Sequence, residues 1–498
     1  MKPDEIKKLF IINSLWGFII GLMHSNWQLA IEGGQVWAAI VSYPVDNPNF
    51  MYLNNAWTIL HQITGLLLKL GASEKILSML LSGLIAMVSC LAISGLVYIF
   101  SRSIFFSTLF PLFYFVIEKK FPLGGVYPIM LWDVPHTYGS LSLSLVILII
   151  LLLTLKKNKI AGFILGVLPS IHIGWACFLY LVLFLMWIFS EKKNPQLKTI
   201  LSGFFCGSIV SFISLIDFLY NHINYIENSN LEIYINAFRQ WDCHRKTINF
   251  YHRSILINIL ALFYSIFYLK QRSNYQNKPI FIYKIMIINS ILGIIAAILS
   301  YIPDHIPLVI YQLMPTRILN INAICFIACI SGRLNQFTFR RYILILFLFI
   351  NIHYFVFNIS HIQKFYSHKD TVLEHAKKLN GTLLTSSDMM LIQARTQRPV
   401  LLYGESLDMM MYAIHSAPRI SRILKDVYAI SLFDPPKEVL HMGGLTRFID
   451  KKKWEKRSFN EWLIIKKKYN ISHIITFSNY QLNAKLIKKN AYYALYEI

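Results

Sequence analysis

Ten runs of this chain are nearly free of charge, at 9–24, 76–100, 104–117, 138–155, 161–189, 200–220, 254–269, 279–302, 313–330 and 342–359. A soluble domain interrupts its apolar segments with charge every few residues, whereas a membrane span needs about 20 consecutive apolar residues to cross the hydrocarbon core. Backbone amides have no water to bond there, so a run of this kind folds as a helix. The fold class that follows is an α-helical polytopic membrane bundle of about 10–11 spans, one of them Pro-broken and re-entrant. A small soluble α/β domain sits at its C-terminus. The bundle covers 1–359, with a long first external loop at 25–74, and the domain covers 360–498.

Charge completes the picture. The chain is 55% hydrophobic and only 15% charged, yet its net charge is +23. The lysines and arginines cluster at the ends of the apolar runs and in the C-terminal region. Membrane topology and anionic headgroups explain them there. No nucleic-acid-binding motif accompanies them, so a nucleic-acid partner is excluded and membrane lipids are the expected neighbours. Five of the six cysteines (Cys90, Cys177, Cys206, Cys325, Cys329) fall inside apolar runs, and the C-terminal domain has none. No disulfide framework is available.

The first run follows Lys2, Lys7 and Lys8 without a small-x-small cleavage site, which makes it an anchor. The run 161–189 is broken by Pro169, Ser170, His172 and Gly174. Read as one span, it puts Lys192, Lys193 and Lys198 opposite Lys156, Lys157 and Lys159. Read as a half-helix that re-enters and a span that returns, it leaves both clusters on one side, as the positive-inside rule prefers. The expected placement is therefore the cytoplasmic (inner) membrane, with the N-terminus inside and the C-terminal domain outside. Lys75, Lys119 and Lys120 are the exceptions.

On this topology three sizeable segments face outward. The loop 25–74 holds Trp27, Trp37, Tyr43, Phe50, Tyr52 and Trp57, aromatics suited to the membrane–water boundary. From Trp57 onward Leu60, Ile63, Leu67 and Leu70 recur at helical spacing, which predicts an amphipathic helix lying in the interface or packed on the bundle. The second segment carries Trp132-Asp133 and His136. The third carries Trp241-Asp242-Cys243-His244-Arg245, and a shorter turn holds Pro303-Asp304-His305 and Pro315-Thr316-Arg317.

Beyond 359 the pattern reads as helix at 371–379, strand at 381–385, helix at 388–396 and strand at 398–403. Helices follow near 407–416, 419–429 and 459–469, with strands at 471–476 and 492–498. Alternation of this kind predicts a layered α/β domain with partly parallel pairing. No phosphate-binding loop, dinucleotide turn, zinc spacing or nucleophile elbow appears in it. The run Lys451–Arg457 reads as a solvated or headgroup-facing edge.

Certain stretches carry a family resemblance. They are Gln28-Leu-Ala-Ile-Glu32 with Tyr43-Pro44 and Asn47-Pro48, Trp132-Asp133 to Gly139, Leu165-Gly166 to Pro169-Ser-Ile-His172, and Glu461-Trp462 with Lys468-Tyr469-Asn470-Ile471. With the layout of spans, long first loop and C-terminal α/β domain, the chain resembles the type C (GT-C) membrane glycosyltransferases, in particular GT-C-like proteins of bacterial surface-polysaccharide clusters. The resemblance implies transfer of a sugar from a polyprenyl-phosphate carrier to a glycan or lipid acceptor at the outer face. A carboxylate acts as general base in such a transfer.

Glu32, just after the first span, takes that role, and Asp133 is the second carboxylate. Arg317 is a phosphate ligand, and Trp132, His136 and His172 contact substrate. The family places an Asp, often paired with a second acid, where this chain has Glu32, and the next acid here is Asp46. Beside these roles stand plainer ones. Glu32 is then a solvated loop acid, Asp133 a brace before Pro135, and His172 a partner for freed backbone carbonyls. Asp242 and His244 form the one weak pair for a divalent metal, and no other cofactor is implied.

Two rival functions remain open. A transporter or flippase of lipid-linked glycan needs a polar path through the bundle, where few ionisable residues stand beyond His172, Asp217, Lys284 and His353. A non-catalytic envelope-assembly protein leaves the aromatics and acids of the first loop without a use.

Overall fold

The apolar runs do fold as helices. The computed structural model describes residues 3–121, 132, 135–189, 197–222, 230–242, 245–270, 279–367, 370–403, 406–440 and 444–498. Among the described residues, eight helices are long and apolar enough to cross a membrane. They are Asp4–Met23, Glu74–Ser101, Thr137–Thr154, Leu197–Asn221, Arg253–Lys270, Ile280–Leu299, Leu308–Leu334 and Arg340–Phe357. Ile104–Lys120, Asn158–Ile171 and Ile173–Ile188 are shorter, at 17, 14 and 16 residues. The chain divides into two compact units, neither of them continuous in sequence: 1–26 with 78–216 and 245–367, and 27–77 with 217–244 and 368–498.

The first unit is the helical bundle. Its tightest crossing rests on four glycines. A Cβ on Gly162 or Gly166 would come within 2.1 or 2.3 Å of the carbonyl oxygen of Ile200 or Phe204, and one on Gly207 within 2.0 Å of that of Phe163. Small residues four apart let two backbones touch, and dispersion across such a seam holds helices together in lipid, where no hydrophobic drive acts between them.

Pro169 does not break its helix, contrary to the expectation from sequence. The helix runs through it to Ile171, and the break is one extended residue, His172, at φ −160° and ψ 104°. Proline leaves the carbonyl four residues back without its N–H. Here the Leu165 carbonyl accepts instead from the Tyr180 hydroxyl at 2.9 Å, and Ser211 donates to the Gly166 carbonyl at 2.7 Å. That Tyr180 bond also fixes the geometry. Residues 165 and 180 lie either side of His172, so the chain doubles back there and the two helices run antiparallel.

The second unit joins the first long loop to the C-terminal domain. Helices Ala30–Trp37 and Ile59–Lys69 cross closely, because a Cβ on Gly33 would meet the His61 ring at 2.1 Å and one on Gly65 the Trp37 ring at 2.4 Å. Thr58 caps the second helix by accepting from the Leu60 amide. Its inner face buries Leu60 and His61, while Ile63, Leu66, Leu67 and Leu70 remain exposed. The predicted amphipathic helix is therefore packed on one side and apolar on the other.

A four-stranded sheet forms the centre of the domain: β1 (Thr382–Thr385), β2 (Ile471–Phe477), β3 (Lys485–Lys489) and β4 (Tyr493–Glu497), in the order β1-β2-β4-β3. β1 and β2 are parallel, and β4 runs antiparallel to both of its neighbours. Leu383, Ile475 and Leu495 pack with Val372, Leu373, Ala376 and Ile392 from two short helices. Helix Phe459–Tyr469 packs against β2, its start fixed by a reciprocal capping box between Ser458 and Glu461.

The strand expected at 398–403 shrinks to a single parallel bridge between Val400 and Leu383. The reason is visible at Val400. Its N–H donates to the Tyr43 hydroxyl at 3.2 Å, and its carbonyl accepts from Asn47 at 3.0 Å and Asn49 at 2.9 Å. Side chains of the first loop cover this sheet edge, one of the ways a protein disarms unpaired strand groups.

Candidate functional site

In the bundle, chemistry gathers around the turn that precedes helix Ile318–Leu334. Met314 adopts φ +54°, a left-handed conformation uncommon for a residue with a side chain. It leads into the short helix Pro315–Arg317. Arg245 lies buried beside this turn, donating from Nε to the Tyr311 carbonyl at 3.0 Å, with its guanidinium 5.6 Å from the Tyr311 ring centre. Arg245, Tyr311, Met314, Pro315 and Thr316 line a small cleft.

Arg317 acts electrostatically on His172. The helix break and the turn are neighbours: the Gly174 Cβ position lies 3.1 Å from His172 Cε1 and 3.5 Å from Leu313 Cδ2. The structure thus brings together two of the residues singled out from sequence, His172 and Arg317.

The bundle also holds buried polar atoms without hydrogen-bond partners among the described residues. They include His172 Nδ1, Trp175 Nε1, Ser142 Oγ, and the side-chain amides of Asn289 and Asn320. Their helices, Thr137–Thr154, Ile173–Ile188, Ile280–Leu299 and Ile318–Leu334, pack on one another. An orphaned buried polar group costs about 1–3 kcal/mol. Asn258, Ser290 and Asn322, on the same bundle, are by contrast bonded to one another, with Asn322 Nδ2 2.6 Å from Asn258 Oδ1 and 2.8 Å from Ser290 Oγ.

Glu32 belongs to the second unit and is not a solvated loop acid. It lies in the first turn of helix Ala30–Trp37 and is 2% exposed. Oε1 accepts from the Tyr403 hydroxyl at 2.7 Å and from the Ala394 amide at 3.2 Å, and the Glu32 carbonyl accepts from Gln393 at 2.9 Å. Burial pushes its carboxyl up to about 7, with the Tyr403 and Ala394 bonds pulling the other way. The surrounding shell is polar and interlocked: Tyr43 donates to Gln393 at 2.7 Å, and Gln35 donates to Glu74 at 3.3 Å.

The remaining sequence picks are scattered. Trp132 is buried and stacks on Phe115 at 4.7 Å, and His136 stands at the cap of helix Thr137–Thr154. Asp133 and His244 lie outside the described residues. Asp242 is buried after helix Leu231–Trp241, and no group of three or more potential metal ligands occurs among the described residues.

Sequence reasoning overlooked Arg245, Tyr403 and Gln393. Arg245 had a signal, a cation closing the Trp241-Asp242-Cys243-His244-Arg245 stretch already singled out. Tyr403 and Gln393 had none, because they matter only through contact with a segment some 360 residues away. The chain matches no protein-family model and no curated protein.

Proposed function

We propose that this chain is a membrane glycosyltransferase of the GT-C kind, moving a sugar from a lipid-phosphate carrier to an acceptor hydroxyl at the outer face in surface glycan or glycolipid assembly. The observation that carries the reading is Glu32, a carboxyl held near neutrality by burial and backed by a tyrosine hydroxyl. A group that titrates near the working pH is the efficient proton acceptor. In the reaction the acceptor oxygen bonds to the anomeric carbon, and the bond from that carbon to the phosphate oxygen breaks. The electron pair leaves with the phosphate, and the hydroxyl proton passes to Glu32.

Within the bundle, Arg317, Arg245 and His172 have cationic and hydrogen-bonding chemistry suited to a lipid phosphate. The doubling back of the chain at His172 supports the reading with a cytoplasmic N-terminus and an external C-terminal domain. The exposed apolar face of helix Ile59–Lys69 suits a place in the interface.

Glycan profiling of Glu32→Gln and Asp133→Asn variants that insert and fold normally tests the reading. Loss of product in Glu32→Gln is expected, and unchanged product in both variants would remove the enzyme reading. One observation favours a second reading, the transporter or flippase. The orphaned polar atoms of Ser142, Trp175, Asn289 and Asn320 run through four packed helices, and transported label with no glycan transfer would select it.

A further inference from the structure

The C-terminal domain carries a second place built for a ligand, at the carboxyl ends of its two parallel strands. After β1 the chain leaves toward the Val400 edge, and after β2 it leaves toward β3 and β4 on the other side. Two connections that diverge from adjacent parallel strands open a crevice between them, and in open α/β sheets ligands bind there.

The residues at this crevice are not idle filler. β1 runs into Ser386, Ser387 and Asp388, with Asp388 exposed and at φ +58°. β2 ends on Phe477, whose ring lies 4.4 Å from the Arg447 guanidinium. The same guanidinium stands 4.8 Å from the exposed Phe448 ring. Phe448 meets Phe477 edge-on at 5.2 Å, and Tyr493 continues the row, stacked on Phe477 at 6.5 Å. Arg447 and Asp388 feel each other's charge, yet neither makes a hydrogen bond or ion pair with another described residue.

The floor beneath them is rigid. Asp450, fully buried, accepts from the Ser387 hydroxyl at 2.5 Å, the Ser387 amide at 3.1 Å and the Tyr480 hydroxyl at 2.7 Å. Exposed polar groups and ring faces are thus held on an immobile base, as a binding site requires.

We propose that this crevice binds an acidic glycan chain, the acceptor of the transfer proposed above. The exposed Phe448 ring suits the apolar face of a sugar ring. Asp388 and Arg447, a carboxylate and a planar fork of N–H donors, suit its hydroxyls. The acidic class follows from charge: residues 368–498 hold 21 Lys and Arg against 12 Asp and Glu, and Lys451, Lys452 and Lys453 follow the crevice in sequence. A nucleotide, the other usual occupant of such crevices, fits less well, because the domain has no Gly-rich phosphate loop. The name of acceptor rests on the transferase reading, but occupancy does not, so binding is measured without turnover.

The test uses the full chain in lipid nanodiscs, with ligand binding followed by calorimetry. Oligogalacturonate is the acidic probe, maltoheptaose the neutral one and UDP the nucleotide. Oligogalacturonate is expected to bind best, with Arg447→Ala and Phe448→Ala each weakening it at least about tenfold. Arg447→Lys, which keeps the charge but loses the fork, is expected to fall between. Lys485→Ala, on the β3 edge, is expected to bind like the parent. Equal binding by the parent and by Arg447→Ala, no preference over maltoheptaose, or tighter binding of UDP at this crevice would each overturn the proposal. A binding success with no sugar transfer would leave the crevice standing and remove only the transferase.

Discussion

One set of buried polar groups in the bundle and one in the loop-with-domain unit are treated in opposite ways. In the bundle, the carboxamides of Asn289 and Asn320 and the imidazole Nδ1 of His172 are left without partners, while the helices around them meet backbone to backbone at glycines. In the other unit, Glu32, Gln393, Tyr403 and Tyr43 are tied together by hydrogen bonds, and Asp450 is held separately by Ser387 and Tyr480. A satisfied network fixes a shape, and an unsatisfied one leaves bonding capacity for something else. The second arrangement holds the Glu32 carboxyl in a set environment.

The contrast can be broken by substitution. The largest effect is expected at Asp450→Ala, which leaves the Ser387 hydroxyl and amide and the Tyr480 hydroxyl without their acceptor. Chemical denaturation should show a loss of about 4 kcal/mol confined to this unit. In the bundle the equivalent weak point is the backbone itself. Gly207→Leu drives a side chain into the Phe163 carbonyl and should cost about 3 kcal/mol, read as a lower melting temperature in detergent.

Next comes pH. Glu32 titrates near 4.5 when solvated and at about 7 in the folded chain. The folded state keeps this proton more tightly, so the stabilisation it gives is fully present below about 4.5 and is lost as the pH rises through about 7. The gap corresponds to about 3 kcal/mol between pH 4 and pH 8. Glu32→Gln should flatten that dependence, whereas Tyr403→Phe, which removes a donor that lowers the carboxyl, should push its titration higher still. A parent chain equally stable across this range would show Glu32 to be solvated.

The smallest effect sharpens the comparison from the other side. Asn322→Leu severs bonds to Asn258 and Ser290 and should destabilise the bundle by about 0.6 kcal/mol. Asn289→Leu severs none and should leave stability level or raise it, while lowering affinity for whatever polar ligand the site takes. Equal losses in both variants would mean that the orphaned set is ordinary bundle packing.

The sequence made the helices legible because each apolar run is long, continuous and bounded by charge. It made β1, β2 and β4 legible for the same kind of reason, as apolar stretches between turns. β3 escaped notice because Lys485-Leu-Ile-Lys-Lys489 is mostly charged, as an edge strand that resists further pairing tends to be. The break was foreseen within 169–174, and it falls on His172 rather than on Pro169. Pro169 stays helical because Tyr180, eleven residues later, supplies the missing donor.

Glu32 was legible as a position and as an acid, since it follows the first span. Its burial was not, because that depends on Tyr403 and Ala394, hundreds of residues away. The division of the chain into units was hidden for the same reason. The loop reads as part of the bundle until Tyr43, Asn47 and Asn49 are seen covering the Val400 edge.

Burial holds the Glu32 carboxyl near neutrality, the property on which its proposed role as proton acceptor rests. Carbon-13 NMR of side-chain-labelled glutamate, in the full chain and in Glu32→Gln, reads that directly by difference. The account predicts that the signal missing from the variant titrates with a midpoint at about 7. A midpoint at or below the ordinary 4.5 would contradict it and leave Glu32 without the property on which its role rests.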